Sequence, residues 1–134
     1  VARVRARVVF TREAPPGGTV GYGATHVARE WEEWATVGIG YGDGLPRRLG
    51  NRGEALVRGR RVPIVGRISM DVTVVDISGV DGVAHGDTVT FIGPDGGEEI
   101  TVDEVAGWAE TISYEILAGF TPRVPRVWVD EGDS

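Results

Sequence analysis

Three tyrosines stand in short distinctive strings: Tyr22 in V-G-Y-G-A-T, Tyr41 in G-I-G-Y-G-D-G and Tyr114 in T-I-S-Y-E-I. A tyrosine with glycine on both sides can project from a backbone that approaches a ligand closely, because no neighbouring side chain blocks it. On spacing alone each of the three reads first as a brace for a turn. A phenol titrates near pH ~10, so it serves as a base near neutrality only where its surroundings stabilise the phenolate. Other chemistries have less support. His26 and His85 are the only histidines, neither lies near a G-x-S-x-G string, and without a clustered carboxylate they make a weak zinc site; both read as solvated or structurally bonded. The run Gly38 to Gly44 has the glycines of a dinucleotide loop, but Leu45, Pro46, Arg47 and Arg48 follow where a helix is needed. The chain has no cysteine, which excludes disulfides, thiolate metal sites, iron–sulfur clusters and a cysteine nucleophile. All 14 basic residues are arginine, so no lysine is present to form a Schiff base.

The elements that must position these groups are mostly strands. Twenty-one glycines and seven prolines divide the 134 residues into short pieces rich in Val and Ile. Residues 1–10 alternate, with Arg3, Arg5 and Arg7 on one face and Ala2, Val4, Ala6 and Val8 on the other. Pro15 to Gly18 reads as a turn and Ala35 to Gly40 as a buried strand. Ala55–Arg58 is expected to pair with Val62–Val65 across Gly59-Arg60, and Asp71–Ile77 and Thr88–Ile92 are two further strands. Asp95-Gly96-Gly97 is a hairpin signal leading into Glu98–Ile100. Trp31 and Trp34 are spaced as on a helix face, but the stretch lacks a cap and flows into a β-type run, so it is assigned as strand. Thr101 and Glu104 form a capping box ahead of an apolar run, which predicts a helix there. A second helix over Ile112–Ala118 should end at Gly119 as a left-handed cap. Val124–Val129 closes the chain as a strand. The expected class is mainly β, a compact β-barrel-like domain of short strands with one or two short helices near 101–118.

One domain is expected over 1–129, with 130–134 as an acidic tail; 41% apolar and 25% charged residues suit a globular protein. No apolar run approaches the ~20 residues that span a membrane. The chain begins at Val1 and not Met, and the expectation is a piece of a longer protein without a signal or transit peptide. Residues 1–67 hold 12 arginines against 6 acids, whereas 68–134 hold 2 against 14. The positive half could attract a carboxylate- or phosphate-bearing ligand, or folding could interleave the two halves into a mixed surface. A net charge of −6 argues against non-specific nucleic-acid binding.

Five strings in order carry a resemblance: V-G-Y-G-A-T at 20–25, G-I-G-Y-G-D-G-L-P-R at 38–47, P-I-V-G-R-I-S-M-D at 63–71, A-E-T-I-S-Y-E-I-L at 109–117 and P-R-V-P-R-V at 122–127. Together they closely resemble the C-terminal β-domain of the alanine racemases, over nearly the whole chain. The resemblance implies a pyridoxal 5′-phosphate enzyme with an N-terminal α/β barrel, working as a head-to-tail homodimer whose active site is shared between subunits. In that family a barrel lysine holds the cofactor and moves one proton, and a tyrosine of the partner's β-domain moves the other on the opposite face. Motif matching assigns that catalytic role to Tyr22; Gly21 stands where the family usually has serine. Tyr41 matches a tyrosine lining the substrate entry, and Met70 the residue whose main chain meets the substrate carboxylate. Tyr114 matches the tyrosine that contacts the cofactor phosphate, and Arg47, Arg67 and Asp71 match charged positions of the substrate corridor. Gly42 replaces the motif's usual alanine after Tyr41. The implied function is interconversion of L- and D-alanine for peptidoglycan in the cytoplasm, with this chain alone inactive because it lacks the lysine and the barrel. A racemase acting on serine or a wider set of amino acids, and a non-catalytic β binding module, are the alternatives.

Overall fold

The computed structural model describes residues 2–20, 25–120 and 127–129. Eight strands are seen among them: β1 (Ala2–Ala14), β2 (Glu32–Val37), β3 (Glu54–Val57), β4 (Arg60–Val65), β5 (Thr73–Asp76), β6 (Thr88–Asp95), β7 (Glu98–Ile100) and β8 (Val127–Val129). Two short helices, α1 (Val102–Ala109) and α2 (Ser113–Ala118), lie between β7 and β8. The class is the mainly β one expected, and every named strand pairing is antiparallel.

The length of β1 closes the sheet on itself. Its first half pairs with β6, from Val4 opposite Ile92 to Arg7 opposite Thr88. Its second half pairs with β2, from Val8 opposite Val37 to Ala14 opposite Glu32. The remaining pairings, β2 with β5, β5 with β4, β4 with β3 and β3 with β6, complete a six-stranded ring, and β7 and β8 extend it. Closure leaves the ring without a bare edge to recruit another strand. The register slips between Val8 and Phe10, where β1 passes from one partner to the next. A bulge there is the means by which a single strand changes direction between two neighbours.

Alternation along β1 buries Val4, Ala6 and Val8 at 5% exposure or less. The arginine face is not uniformly solvated: Arg7 is exposed, but Arg5 is half-buried and Arg3 buried. The guanidinium of Arg5 reaches the Pro94 carbonyl at 3.1 Å, and that of Arg7 the Gly86 carbonyl at 2.9 Å. The main core fills the ring with Val8, Val37, Leu56, Ile64, Val75, Val89 and Phe91, and Val105, Ala106 and Ile116 of the helices join it. Each large aliphatic side chain so buried contributes about 1.5–3 kcal/mol. A smaller cluster of Ala14, Val20, Ala28, Trp34 and Val65 lies apart from it.

Several local expectations shift. Of the tryptophan-bearing stretch assigned as strand, Trp34 lies in β2 (Glu32–Val37), opposite Arg12 on one side and Asp76 on the other, whereas Trp31 precedes the strand and is exposed. The strand ends before Gly38, short of the predicted Gly40. The β3–β4 hairpin turns at Arg58-Gly59 and not at Gly59-Arg60, with Ala55 opposite Val62 as its register. A two-residue hairpin turn of this kind needs positive φ at both central positions, and Arg58 supplies 51° beside 76° at Gly59. Arg58 is held in that unfavoured conformation by bonds to the Gly82 carbonyl and the Asp87 carboxylate, both 3.0 Å. The strand predicted over Asp71–Ile77 is confined to Thr73–Asp76, and that over Thr88–Ile92 runs on to Asp95.

The capping box of α1 forms as expected: the Glu104 N–H donates to Thr101 Oγ1 and the Thr101 N–H to Glu104 Oε1, each 3.1 Å. Gly119 is not a left-handed cap, since its φ of −76° is right-handed. The close approach here constrains Gly44 instead: a Cβ on Gly44 would lie 2.4 Å from the Gly119 carbonyl oxygen, whereas one on Gly119 would meet nothing nearer than 3.4 Å. The left-handed cap belongs instead to α1, at Glu110 (φ 58°), whose carboxylate is clasped by Arg48 at 2.7 Å and Arg52 at 2.9 Å. Of the strand predicted over Val124–Val129, residues 127–129 are strand and the rest lie outside the described residues, as do 130–134.

Candidate functional site

Beyond β2 the chain makes a 3₁₀ turn, Tyr41–Asp43, stitched to the segment that follows β4. The Tyr41 N–H donates to the Ser69 carbonyl and the Gly42 N–H to the Met70 carbonyl, each at 2.9 Å. Gly40 makes this approach possible, because a Cβ there would lie 2.2 Å from the Ser69 oxygen. Asp43, buried, closes the turn by accepting the Gly40 N–H at 3.0 Å, and Thr73 Oγ1 donates to the Ile39 carbonyl at 2.7 Å. The glycine pattern of 38–44 thus serves packing of backbone on backbone and not the cradling of a phosphate.

That stitching brings Tyr41, Arg47, Arg67 and Met70 to one cleft of about 590 Å³, with Val20, Ile68, Ser69, Val72 and Val74 completing its wall. The Arg47 guanidinium stacks on the Tyr41 ring, 4.6 Å from its centroid. Among the described residues the lining holds two cations, one phenol and no acid. A small anion entering here meets favourable charge against a half-apolar wall. Met70 and Tyr41 are 49% and 39% exposed, so both are reachable from solvent. A groove of about 370 Å³ adjoins it, lined by Gly44, Pro46, Arg47, Thr111 and Glu115 among others, and Arg47 borders both.

The other residues singled out in the sequence are placed differently. Asp71 follows Met70 on the exposed side of the same segment and is not part of the lining. Tyr114 is on α2, 79% exposed and outside the cleft. Tyr22 lies outside the described residues, but Val20, two positions before it, is a buried wall residue of the cleft.

Sequence reasoning missed the supports of that corner. The Asn51 side chain accepts the Gly66 N–H at 2.6 Å and donates to Thr25 Oγ1 at 3.0 Å, tying two of the distinctive strings together. Asn51 has φ 57°, which asparagine tolerates better than most residues, and Asn51 before Arg52-Gly53 was the available signal. Gly66 (φ 76°) is packed so tightly that a Cβ would meet Val20 Cγ1 at 2.5 Å. His26 is structurally bonded, as one of the two readings held: its Nε2 is 2.9 Å from Glu32 Oε1, which also accepts Trp34 Nε1 at 2.7 Å. Burial works against the charge on Glu32, yet the hydrogen bonds from His26 and Trp34 outweigh it and hold the carboxyl below its ordinary range. Among the described residues no cluster of three or more potential metal ligands is present, and no helix is long and apolar enough to cross a membrane.

A small closed antiparallel barrel with a cationic, tyrosine-bearing cleft beside a glycine turn defines a ligand-facing β-domain. Residues 1–128 match the family model described as alanine racemase, C-terminal domain. The chain belongs to that family. It is 47% identical over 130 residues to an alanine racemase of Desulfosudis oleivorans, covering 97% of this chain and 33% of that one. An alanine racemase of Halothermothrix orenii is 43% identical over 91% of this chain and 32% of its own. Among solved structures, alanine racemase from Bacillus anthracis with bound L-Ala-P superposes with a TM-score of 0.88 at 39% identity, over 98% of this chain and 33% of that one. Alanine racemase from Bartonella henselae with covalently bound pyridoxal phosphate gives 0.86 at 37% identity, over 95% of this chain and 34% of that one. The chain thus spans about a third of the length of these relatives.

Proposed function

We propose that this chain is the C-terminal β-domain of a pyridoxal-phosphate-dependent alanine racemase, residues 1–129, followed by an acidic tail at 130–134. In this reading it acts in the cytoplasm and supplies Tyr22 to the active site of a partner subunit, in a head-to-tail dimer in which each chain also carries an N-terminal barrel. The observation that carries it is the cleft, whose lining brings Tyr41, Arg47, Arg67 and Met70 together with Val20, two positions before Tyr22 in the sequence, in a chain of the alanine racemase family.

The residues present fit the cofactor only as part of a shared site. With no lysine, the chain cannot hold the cofactor covalently through its aldehyde, and the group it offers toward a phosphate is the exposed phenol of Tyr114. When bound, pyridoxal phosphate supplies the electron sink that makes an α-hydrogen removable. This chain's share is then positional and acid–base. The two arginines of the cleft draw an amino-acid carboxylate inward, Arg47 more specifically because its plane is fixed against Tyr41. Asp71, on the segment's outer side, balances the charge at the mouth. The Met70 carbonyl is engaged by Gly42, so the main-chain group Met70 can present to a carboxylate is its N–H. The phenol of Tyr22 takes or gives the proton at the α-carbon on one face, and a group outside this chain does so on the other. Two bases on opposite faces produce inversion, as product of D- and L-alanine interconversion for peptidoglycan requires.

The test is Tyr22→Phe in the full-length enzyme, followed by solvent exchange of the α-hydrogen from each enantiomer of alanine in deuterated water. Exchange from one enantiomer should fall by about a hundredfold or more, while the other still exchanges without inversion. Equal, small losses from both enantiomers would overturn the assignment and favour a non-catalytic module. Comparing alanine with serine as substrate separates the narrow racemase from the broader one.

A further inference from the structure

Two short backbone stretches, 17–20 and 26–28, pair antiparallel and flank in sequence the string that contains Tyr22. Thr19 bridges Val27, the Val20 N–H donates to the His26 carbonyl at 3.2 Å, and the Ala28 N–H to the Gly18 carbonyl at 2.9 Å. A two-stranded ladder this small is marginal by itself in water, so its register must be fixed from outside. Both of its feet are fixed to one indole–carboxylate unit. On the first foot, Arg12 donates to the Thr19 carbonyl at 3.0 Å while its guanidinium lies 4.8 Å over the Trp34 ring. On the second, His26 reaches Glu32 Oε1 at 2.9 Å, the oxygen that also accepts the Trp34 indole N–H. The rings of His26 and Trp34 meet edge to face at 5.8 Å. Glu32 is held ionised and is then an acceptor only, so the proton in this contact sits on His26 Nε2.

We propose that His26 and Glu32 are positioning residues. By fixing the second foot of the ladder against Trp34, the pair sets the register between 17–20 and 26–28, the two stretches between which Tyr22 falls in the sequence, and so supports the acid–base role proposed for Tyr22. The inference rests on the proposed role of Tyr22 and extends it to residues that touch neither substrate nor cofactor. A misplacement of about 1 Å in an acid–base group costs up to about a hundredfold in rate, so a foot loosened but not detached costs less than deletion of the phenol itself.

The test compares Tyr22→Phe, His26→Leu, His26→Gln, Glu32→Gln and the double variant Tyr22→Phe/His26→Leu in the full-length enzyme. His26→Leu should slow α-hydrogen exchange about tenfold, and only from the enantiomer that Tyr22→Phe affects. His26→Gln, whose amide nitrogen can reach the same carboxylate, should recover to within about threefold of the native rate, and Glu32→Gln should fall between. The double variant should be no slower than Tyr22→Phe alone. In this chain, amide hydrogen exchange at Val20 and Ala28 should quicken in His26→Leu while that at Val75 in β5 does not. Should His26→Leu fail to fold, His26→Gln against Glu32→Gln gives the same ordering. Equal slowing of both enantiomers, or native exchange at Val20 and Ala28, overturns the positioning role while the asymmetry of Tyr22→Phe still stands. Loss of asymmetry in Tyr22→Phe itself overturns both readings together.

Discussion

The strand β4 has an arginine near each end, and the two are used in opposite ways. Arg61, near its start, donates to Glu54 at 3.0 Å, Glu98 at 3.1 Å and Glu104 at 3.0 Å, and to the Glu99 carbonyl at 2.7 Å. It ties the β3–β4 hairpin to β7 and to the first turn of α1. Arg67, just past the end of β4, and Arg47, which shares its cleft, have no carboxylate within ion-pair distance among the described residues. One end of the strand carries a cation whose acceptors belong to the fold. The other presents cations to a cleft, one of them stacked on the Tyr41 ring. The contrast separates an arginine that ties elements of the domain together from arginines that the proposed function assigns to a ligand.

The glycines repeat the contrast and give the largest expected effect on stability. Gly40 has an ordinary extended backbone, but a methyl group there would overlap the Ser69 and Met70 carbonyl oxygens, neither of which can move without unstitching the cleft. Gly97, in the β6–β7 hairpin at the Arg61 end, has φ 94° and open space around it. Gly40→Ala should therefore destabilise the chain by about 3 kcal/mol and Gly97→Ala by only about 1–2 kcal/mol. Urea denaturation of the two variants checks the ordering, and a larger loss at Gly97 would break the claim that the glycine turn is built for close approach.

The exchange of roles between the arginines gives the next effect. Arg61→Met leaves three carboxylates facing one another and should lower stability by about 1.5 kcal/mol, the scale of a small partly exposed network. Arg47→Met and Arg67→Met should each change stability by less than about 1 kcal/mol, the value of a surface stacking contact at most. Activity of the full-length enzyme should order the other way: about a tenfold rise in KM for either cleft arginine, reflecting a lost charge-assisted contact, and less than about twofold for Arg61→Met. A fall in stability without a change in KM at Arg47 and Arg67 would erase the distinction.

How much of this was legible beforehand follows from the range of the interactions. The turns, the strands between them and the capping box at Thr101 are local and were readable from residue type. Trp31 and Trp34 were ambiguous because their spacing suits a helix face while the missing cap and the β-type run that follows suit a strand, and pairing of Trp34 with Arg12 and Asp76 decides it for Trp34. A barrel-like form was expected, but the strand partners that close it were not readable, because closure depends on β1 serving both β2 and β6, the latter more than eighty residues away. Of the site, the polar residues were found through their strings, and Tyr41, Arg47, Arg67 and Met70 do come together. Val20, Ile68, Val72 and Val74 were missed, since an apolar cleft wall has the same composition as a core. Asn51 was missed as a support, and the partners of His26 were not named, because Gly66 with Thr25 and Glu32 with Trp34 are set by packing and not by spacing.

The smallest effect is the share of the pH dependence that Arg61 controls. The hydrogen bond from Arg61, aided by the Thr101 N–H and opposed by burial, holds the Glu104 carboxyl below its ordinary range. Glu104 therefore binds fewer protons folded than unfolded at mildly acid pH. Its stabilising contribution is fully present above the unfolded carboxyl value and is lost as pH falls through the lower folded one. The melting temperature of the chain should be nearly constant from pH 7 to about 5 and then decline on further acidification. In Arg61→Met the shift is removed and the remaining acids repel, so protonation relieves the fold and the decline should be shallower by a few degrees, corresponding to about 1 kcal/mol or less. Arg67→Met, at the far end of the same strand, should follow the native curve. Thermal melts of the three proteins between pH 7 and 3 decide it: parallel curves for native and Arg61→Met would mean that the network at that end contributes nothing to the acid limb, and that the two ends of β4 differ in geometry without differing in energy.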